Sequence, residues 1–361
     1  MYLDEQTIAV IRDSQAKSIQ AKHLVAEQLE LIYAKNWFNI WVNSKYNGLE
    51  LILLDGFSLI KEIAYYDGAF AWTVTLCSGA NMFSGFINPD LASVVFSDPK
   101  VCFGGSGRAN GKAVWDGEQY HLTGVWQYAT GAPHLTHFTL NAFIYDGNTQ
   151  RLNEWGEPIT YSFFVPKEQV LIHYDWDTFG LECTASHSFS LDNVVVDKSY
   201  AFELRPSENR VDSALYKIPF MTFAELTLLP NYLGMYQRFL DQVEKYFFDK
   251  SKNPDWADKY SKTRFRQIDS YQQKSEGYTN TAVSLINTLW LEVNQNPDNI
   301  NAELLVEIAS ESRSIVKEIR ESVTSLFPLV GISGAQKDNE LNIVFRNIFT
   351  ATQHSLLNLE E

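Results

Sequence analysis

The hydrophobic pattern of this chain changes period twice, and that double change limits what it can fold into. Up to about residue 98 the apolar residues recur near helical spacing, with Ile8, Ile11, Ile19, Leu24 and Leu31 set in a polar background. The stretch LELILLDGFSLIKEIAYYDGAFAWTVTLCSGANMF adds two apolar helical segments broken at Asp67–Gly68. Asn88–Pro89 then opens a short helix with proline in its first turn. From residue 100 to about 205 glycines and β-branched residues rise and period-two runs appear. In KAVWDGEQYHLTGVW an Asp116–Gly117 turn separates two strand-like runs, a hairpin signature. FTLNAFIY, YSFFVP and HSFSLDNVVVD also read as strands.

Helical periodicity returns from residue 215 in four long patterns. The first is MTFAELTLLPNYLGMYQRFLDQVEKYFF, with Pro230 as a kink candidate. RFRQIDSYQQKSEGYTNTAVSLINTLWLEV is the second, and NAELLVEIASESRSIVKEIRESVTSLF, behind Asn301 as a candidate N-cap, is the third. NELNIVFRNIFTATQHSLLN is the fourth, which carries the helix through His354. Polar linkers NPDWADK and NQNPDN join them, as expected of a four-helix bundle. The expected architecture is mainly α with a central β-domain: a helical domain over 1–99, a β-domain over 100–207 and a bundle over 208–361.

A net charge of −15 repels phosphate backbones and anionic lipid, which argues against nucleic acid or a membrane surface as partner. No apolar stretch approaches the length of a membrane span, and MYLDEQTIAV has no signal-peptide character. Cys77, Cys102 and Cys183 are far apart and form no CxxC, which argues against a disulfide framework or a zinc site and fits a reducing cytoplasm. His134 and His137 make an HxxH whose side chains point to opposite faces of an extended segment, so no metal is expected. The 23 Phe, 18 Tyr and 9 Trp supply enough aromatic surface to line a pocket for a flat ligand.

Several stretches, in order and over nearly the whole chain, resemble the acyl-CoA dehydrogenase superfamily, whose fold has this same succession of domains. KAVWDGEQYHLTGVWQYATG is similar to the segment that leads to the edge of a flavin ring. The resemblance places Tyr128, Ala129 and Thr130 against the flavin, with the Thr130 hydroxyl near N5 as a hydrogen-bond donor. CFGGSGRANG resembles the glycine-rich loop on the pyrimidine side and implicates Gly105, Ser106 and Gly107. It is neither a P-loop, since no GK[ST] follows, nor a nucleophile elbow, since GxSxG fails at Arg108. KTRFRQIDSYQQ resembles the segment that reaches a neighbouring subunit's flavin phosphates, with Phe265 and Gln273 in matching slots. Lys262 replaces the usual arginine there, and Arg264 or Arg266 is its candidate substitute. GISG followed by Arg346 resembles the GGxG loop and the arginine of the last helix, with Gly331 and Gly334 matching. Ile332 replaces the second glycine, and Asn347 replaces an aspartate, so a local salt bridge is expected to be missing.

The catalytic position separates the branches of this superfamily. Where many dehydrogenases carry a glutamate base, this chain has Gln353-His354-Ser355. The alternative base position, on the first bundle helix, aligns with Ala224, and Glu225 is one residue and roughly 100° of helix away. His354 resembles the branch of reduced-flavin-dependent monooxygenases, the dibenzothiophene and phenol-type hydroxylases. That branch takes reduced FMN or FAD from a separate reductase and passes oxygen to an aromatic or heteroatom substrate. A histidine titrates near neutrality and can move a proton at either the substrate or the oxygen. Trp72, Asn81, Phe83 and His187 fall where the family walls its substrate pocket. The resemblance thus implies a two-component monooxygenase acting on a small molecule, assembled as a homotetramer. Two other readings stay open: an FAD-containing acyl-CoA dehydrogenase with Glu225 as base, and a non-catalytic member that has lost tight flavin binding.

Overall fold

The computed structural model describes residues 2–257, 259–260 and 262–358. Five helices come first: α1 (Glu5–Ala21), α2 (Ala26–Ala34), α3 (Leu53–Tyr66), α4 (Gly68–Asn81) and α5 (Pro89–Val95). The Asp67–Gly68 break is one residue serving two helices. Asp67 ends α3, and its carboxylate caps α4 by accepting from the Ala69 and Phe70 N–H groups at 3.0 and 3.2 Å. Asn88 caps α5 in the same way, with Pro89 in the first turn.

The central region is one eight-stranded sheet. Its strands are β1 (Phe103–Trp115), β2 (Gln119–Ala129), β3 (His137–Asp146), β4 (Thr149–Gln150), β5 (Thr160–Pro166), β6 (Leu171–Ile172), β7 (His187–Asp197) and β8 (Ala201–Phe202). They run in the order β6-β7-β2-β1-β3-β5-β8, with β4 paired to β3. The Asp116 hairpin forms as its residues require: Trp115 pairs with Tyr120, and the Asp116 carboxylate accepts from the Glu118 and Gln119 N–H groups. The Gly105–Gly107 segment is not a loop. It lies within β1, where the register against β3 slips between Gly105 and Ala109, so it is a bulged strand.

The C-terminal helices are α6 (Phe220–Ser251), α7 (Lys262–Gln295), α8 (Ala302–Leu326) and α9 (Glu340–Ala351). Helix α6 runs continuously through Pro230 and is the centre of the layer, packed on α3, α4, α7, α8 and α9. The Asn301 side chain caps α8 through the Glu303 N–H at 2.9 Å. The fourth helical pattern is shorter than its sequence suggests. Helix α9 ends at Ala351, and His354 lies beyond it at the head of a short 3-10 turn over Ser355–Leu357, whose Leu356 N–H it caps. Its ring offers that N–H a partner outside the helix, which competes with continuation of the helix. No helix among the described residues is long and apolar enough to cross a membrane.

One buried amide locks the helical layer to the sheet. Asn81, at the end of α4, is fully buried. Its Oδ1 accepts from Phe103 N at 2.6 Å, and its Nδ2 donates to Asn39 Oδ1 at 2.8 Å and to the Val101 carbonyl at 3.2 Å. Its polar atoms are spent on structure, so it pins the entry to β1 rather than walling a pocket. Phe83 likewise packs in the core, edge-on to Phe220 and tilted against Phe202. Asn81→Ala should therefore lower stability by about 2–4 kcal/mol, since three buried partners lose their hydrogen bonds. A fall in the urea midpoint with an unchanged slope is the expected result of equilibrium unfolding.

Candidate active site

Helix α4 touches both groups of candidate residues, His354 through Trp72 and Thr130 through Cys77. Trp72 and Cys77 lie five residues apart on it, about 7.5 Å along the axis. At the Trp72 end the indole stands edge-on to the His354 ring, with centroids 5.7 Å apart at 69°, and edge-on to Tyr232. The Tyr232 hydroxyl donates to the Ala351 carbonyl at 2.8 Å, which fixes the end of α9 just before His354. At the Cys77 end the thiol faces the Thr130 carbonyl at 3.7 Å.

His354 is half-buried, and burial pulls its pKa below the ordinary imidazole value, so the ring is neutral near pH 7. Its Nδ1 accepts the Leu356 N–H at 3.3 Å, which puts the proton of the neutral ring on Nε2. In this tautomer the ring offers a donor.

Thr130 ends a hydroxyl relay whose direction is fixed. Thr184 Oγ1 donates to the Leu181 carbonyl at 2.9 Å. Its 2.8 Å bond to Ser186 Oγ must then use the Ser186 proton, and the 2.9 Å bond between Ser186 and Thr130 must use the Thr130 proton. Each hydroxyl carries one proton, and all three run inward toward Leu181. Thr130 Oγ1 can therefore accept from an outside group but not donate to it, the reverse of the polarity expected from sequence. Beside it, Tyr128 is 66% exposed and adopts a φ of +69°, an uncommon conformation for a tyrosine that turns its ring edge-on to Trp176. Trp176, Tyr174 and His187 line an open cavity of about 570 Å³. His187 is nearly buried, pairs across the strands with Ala129, and accepts from Trp176 N through Nδ1 at 2.9 Å. The exposed Asp175 beside it caps the Ser188 N–H, a turn role.

Other candidates have different duties. Glu225 is 3% exposed, and its Oε1 accepts from Arg313 of α8 at 2.9 Å. Burial raises its pKa and the guanidinium opposes that rise. An acid already paired with a permanent cation is poorly placed to take a substrate proton. Arg346 is also buried. It donates through Nε to Glu182 at 2.9 Å, and through a terminal nitrogen to the Lys337 carbonyl and Asn342 Oδ1 at 2.7 and 2.8 Å. The guanidinium is thus a clamp within the protein. The salt bridge expected to be missing beside Asn347 is made instead with Glu182, and Asn347 Oδ1 caps the Leu181 N–H at 2.8 Å. Only a glycine fits at 180, where a Cβ would come within 2.1 Å of the Arg346 carbonyl oxygen.

Gly105 and Ser106 are half-buried and Gly107 exposed in the β1 bulge, with the Gly107 carbonyl held by Asn141 Nδ2 at 2.7 Å. Lys262 and Gln273 are exposed and Arg264 and Phe265 half-buried at the start of α7. Gly331 takes a φ of +68° in the turn after α8, beside buried Gly334 and an Ile332 that is 83% exposed. These bundle residues stand on elements other than those carrying Thr130 and His354. Sequence reading missed Arg313, Glu182, Thr184, Ser186 and Trp176. It also missed the meeting of Cys77, Cys102 and His134, whose ligand atoms lie within 4.8 Å of one another. His134 sits in a 3-10 turn rather than an extended segment, which lets its ring face the two thiols.

Four histidines, His134, His137, His187 and His354, are held below the ordinary imidazole pKa by burial, and His134 is pulled down to about 3. Unfolding releases them to titrate near 6.5, so below that pH the unfolded state binds more protons than the folded one. Stability should be full above pH 6.5 and fall steadily as pH drops toward 3. Chemical denaturation across that range checks this, and a midpoint flat from pH 7 to 4 would contradict it.

No known protein-family profile matches the chain. The pigment production hydroxylase of Rhodococcus sp. is 20% identical over 326 residues, 88% of this chain and 81% of that protein. Indole-3-acetate monooxygenase of Pseudomonas putida is 22% identical over 222 residues, 62% of this chain, and the chain spans about half (55%) of that protein's length. Among solved structures, XiaF from Streptomyces sp. in complex with FADH2 and glycerol superposes with a TM-score of 0.86 at 20% identity, covering 98% of this chain and 90% of that one. The HsaA monooxygenase from M. tuberculosis superposes with a TM-score of 0.87 at 16% identity, covering 99% and 96%. The relatives are named as monooxygenases and a hydroxylase, and this chain shares the acyl-CoA dehydrogenase-like fold of the solved structures.

Proposed function

We propose that the chain is the oxygenase component of a two-component flavin-dependent monooxygenase that takes reduced FMN or FAD and O2 to a small aromatic or heteroatom substrate. The relay through Thr130 carries this reading. Reduced flavin bears a proton on N5 and oxidised flavin a lone pair, and an oxygen that accepts but cannot donate suits the former. The residues present fit the group: an exposed aromatic at Tyr128, the accepting Thr130 and a bulged glycine strand over 105–107. XiaF is described with FADH2 and another structural neighbour, KijD3, with FMN, which supports either flavin.

Bound reduced flavin supplies the electrons that activate O2. The protein's part is to bind, orient and manage protons. Thr130 orients the ring edge, and Tyr128 covers one side of it. His354, neutral and protonated on Nε2, donates toward the oxygen or the substrate and is set in place by Trp72. Glu225 leaves the dehydrogenase reading without a free base, because Arg313 holds it. The reading includes a separate flavin reductase and a homotetramer. A cytoplasmic place is supported by three free cysteines.

The test mixes protein and chemically reduced FMN or FAD with oxygenated buffer and follows oxidised-flavin absorbance. A lag relative to free flavin is expected, together with hydroxylation of a substrate panel that includes indole-3-acetate, the substrate named for one relative. His354→Ala should keep reduced-flavin binding and lose about 100-fold or more of the hydroxylation rate. Reoxidation as fast as free flavin, with bleaching of bound FAD by an acyl-CoA, would overturn the reading in favour of a dehydrogenase.

Thr130→Val tests the relay separately. Removing one hydrogen bond should weaken reduced-flavin binding by roughly tenfold and leave oxidised-flavin binding nearly unchanged. Fluorescence titration of each redox form measures both constants.

A further inference from the structure

The cluster formed by Cys77, Cys102 and His134 belongs to no part of the flavin reading. Cys77 comes from α4, Cys102 from the residue before β1, and His134 from the turn between β2 and β3. Both cysteines are buried to within 1% and carry free thiols. The two sulfurs and the imidazole nitrogen lie within 4.8 Å of one another. His134 Nε2 is buried with no hydrogen-bond partner among the described residues, an unusual state for a ring nitrogen in an interior. The ring is held in place by stacking on Phe38, with centroids 5.6 Å apart and planes 10° apart.

A second observation bears on the same point. Gly131 has a φ of +77°, and a Cβ there would come within 2.6 Å of His134 Nε2 and 3.2 Å of Cys77 Sγ. The glycine keeps open the space toward which both atoms are directed. The frame is rigid on the other side too, where Cys102 N donates to Thr136 Oγ1 at 3.0 Å and Thr136 N donates to the Cys102 carbonyl at 2.8 Å.

We infer that Cys77, Cys102 and His134 form a binding site for a thiophilic divalent cation of the zinc class. Two sulfurs and one imidazole are soft and borderline ligands that select such ions over magnesium or calcium. Bonds of about 2.3 Å to sulfur and about 2.0 Å to nitrogen need ligand atoms roughly 3.5–4 Å apart, so closing the site takes a movement of about 1 Å or less. On binding, each thiol gives its proton to solvent as its sulfur coordinates. Two thiolates and a divalent ion sum to zero charge, which lets the complex sit in an apolar interior. It also spares the complex a clash with Lys167, whose ammonium donates to the Pro133 carbonyl beside His134. The ion ties α4, the entry to β1 and the turn after Thr130 into one unit. It braces the segment that carries the proposed flavin contact from behind, where Cys77 Sγ faces the Thr130 carbonyl.

The test titrates reduced, tag-free protein with Co²⁺, a coloured stand-in for zinc, under anaerobic conditions. One equivalent per chain should give a near-ultraviolet sulfur-to-cobalt charge-transfer band and visible bands of a low-coordinate site, both displaced by Zn²⁺. The bands should vanish in Cys77→Ser and in Cys102→Ser and persist in Cys183→Ser, whose buried thiol lies outside the cluster. Bands that survive both serine variants would overturn the site. So would a folded wild-type protein that shows no charge-transfer band and no rise in Tm with Zn²⁺, and these two wild-type readings decide the matter even if the serine variants do not fold.

Discussion

A part-buried ion pair holds the two halves of the candidate site in register. Arg346 of α9 reaches Glu182 at 2.9 Å across the boundary between the bundle and the sheet region. Withdrawing the Arg346 charge from water is costly, and such pairs contribute less to stability than their geometry suggests. What this one does is fix position. Glu182 lies between Leu181, whose carbonyl ends the hydroxyl relay, and Thr184, the hydroxyl that donates to it. Asn347 holds Leu181 by its N–H from the same turn of α9. The helix that leads into His354 and the loop that orients Thr130 are therefore registered against each other by adjacent residues of one helix.

The same economy separates two kinds of chemistry. A dehydrogenase needs a free carboxylate near the flavin, and the candidate that the sequence offers, Glu225, is paired with Arg313. An oxygenase needs a group that can donate to oxygen at neutral pH. His354 is supplied in that form, because burial keeps it neutral and the Leu356 N–H occupies its Nδ1.

Much of the fold was legible because it follows from local period. The Asp67 break, the Asp116 hairpin, the Asn88 and Asn301 caps and the first three bundle helices lie where spacing and cap chemistry put them. The errors came where tertiary partners overrule local pattern. The last helix reads as continuous through His354, yet the His354 ring captures a backbone N–H and stops it. The glycines over 104–107 read as a loop, yet they bulge within a strand that β3 accommodates. Arg346 reads as a cofactor contact and Asn81 as a pocket residue, and both are spent inside the protein on partners that are distant in sequence: Glu182, Asn39 and Phe103. The grouping of Cys77, Cys102 and His134 had no sequence signal, because three elements contribute one ligand each.

The hydroxyl relay makes Thr130, Ser186 and Thr184 act as one electrical element. With a single proton each, none can turn without turning its neighbour, so the orientation at Thr130 is set by a carbonyl three bonds away at Leu181. Removing either inner hydroxyl frees Thr130 to point its proton outward, and removing both does no more than removing one. Residues with no contact to a flavin would thus share a single effect on which redox form the site prefers. Their energies would overlap almost completely in a double-mutant cycle.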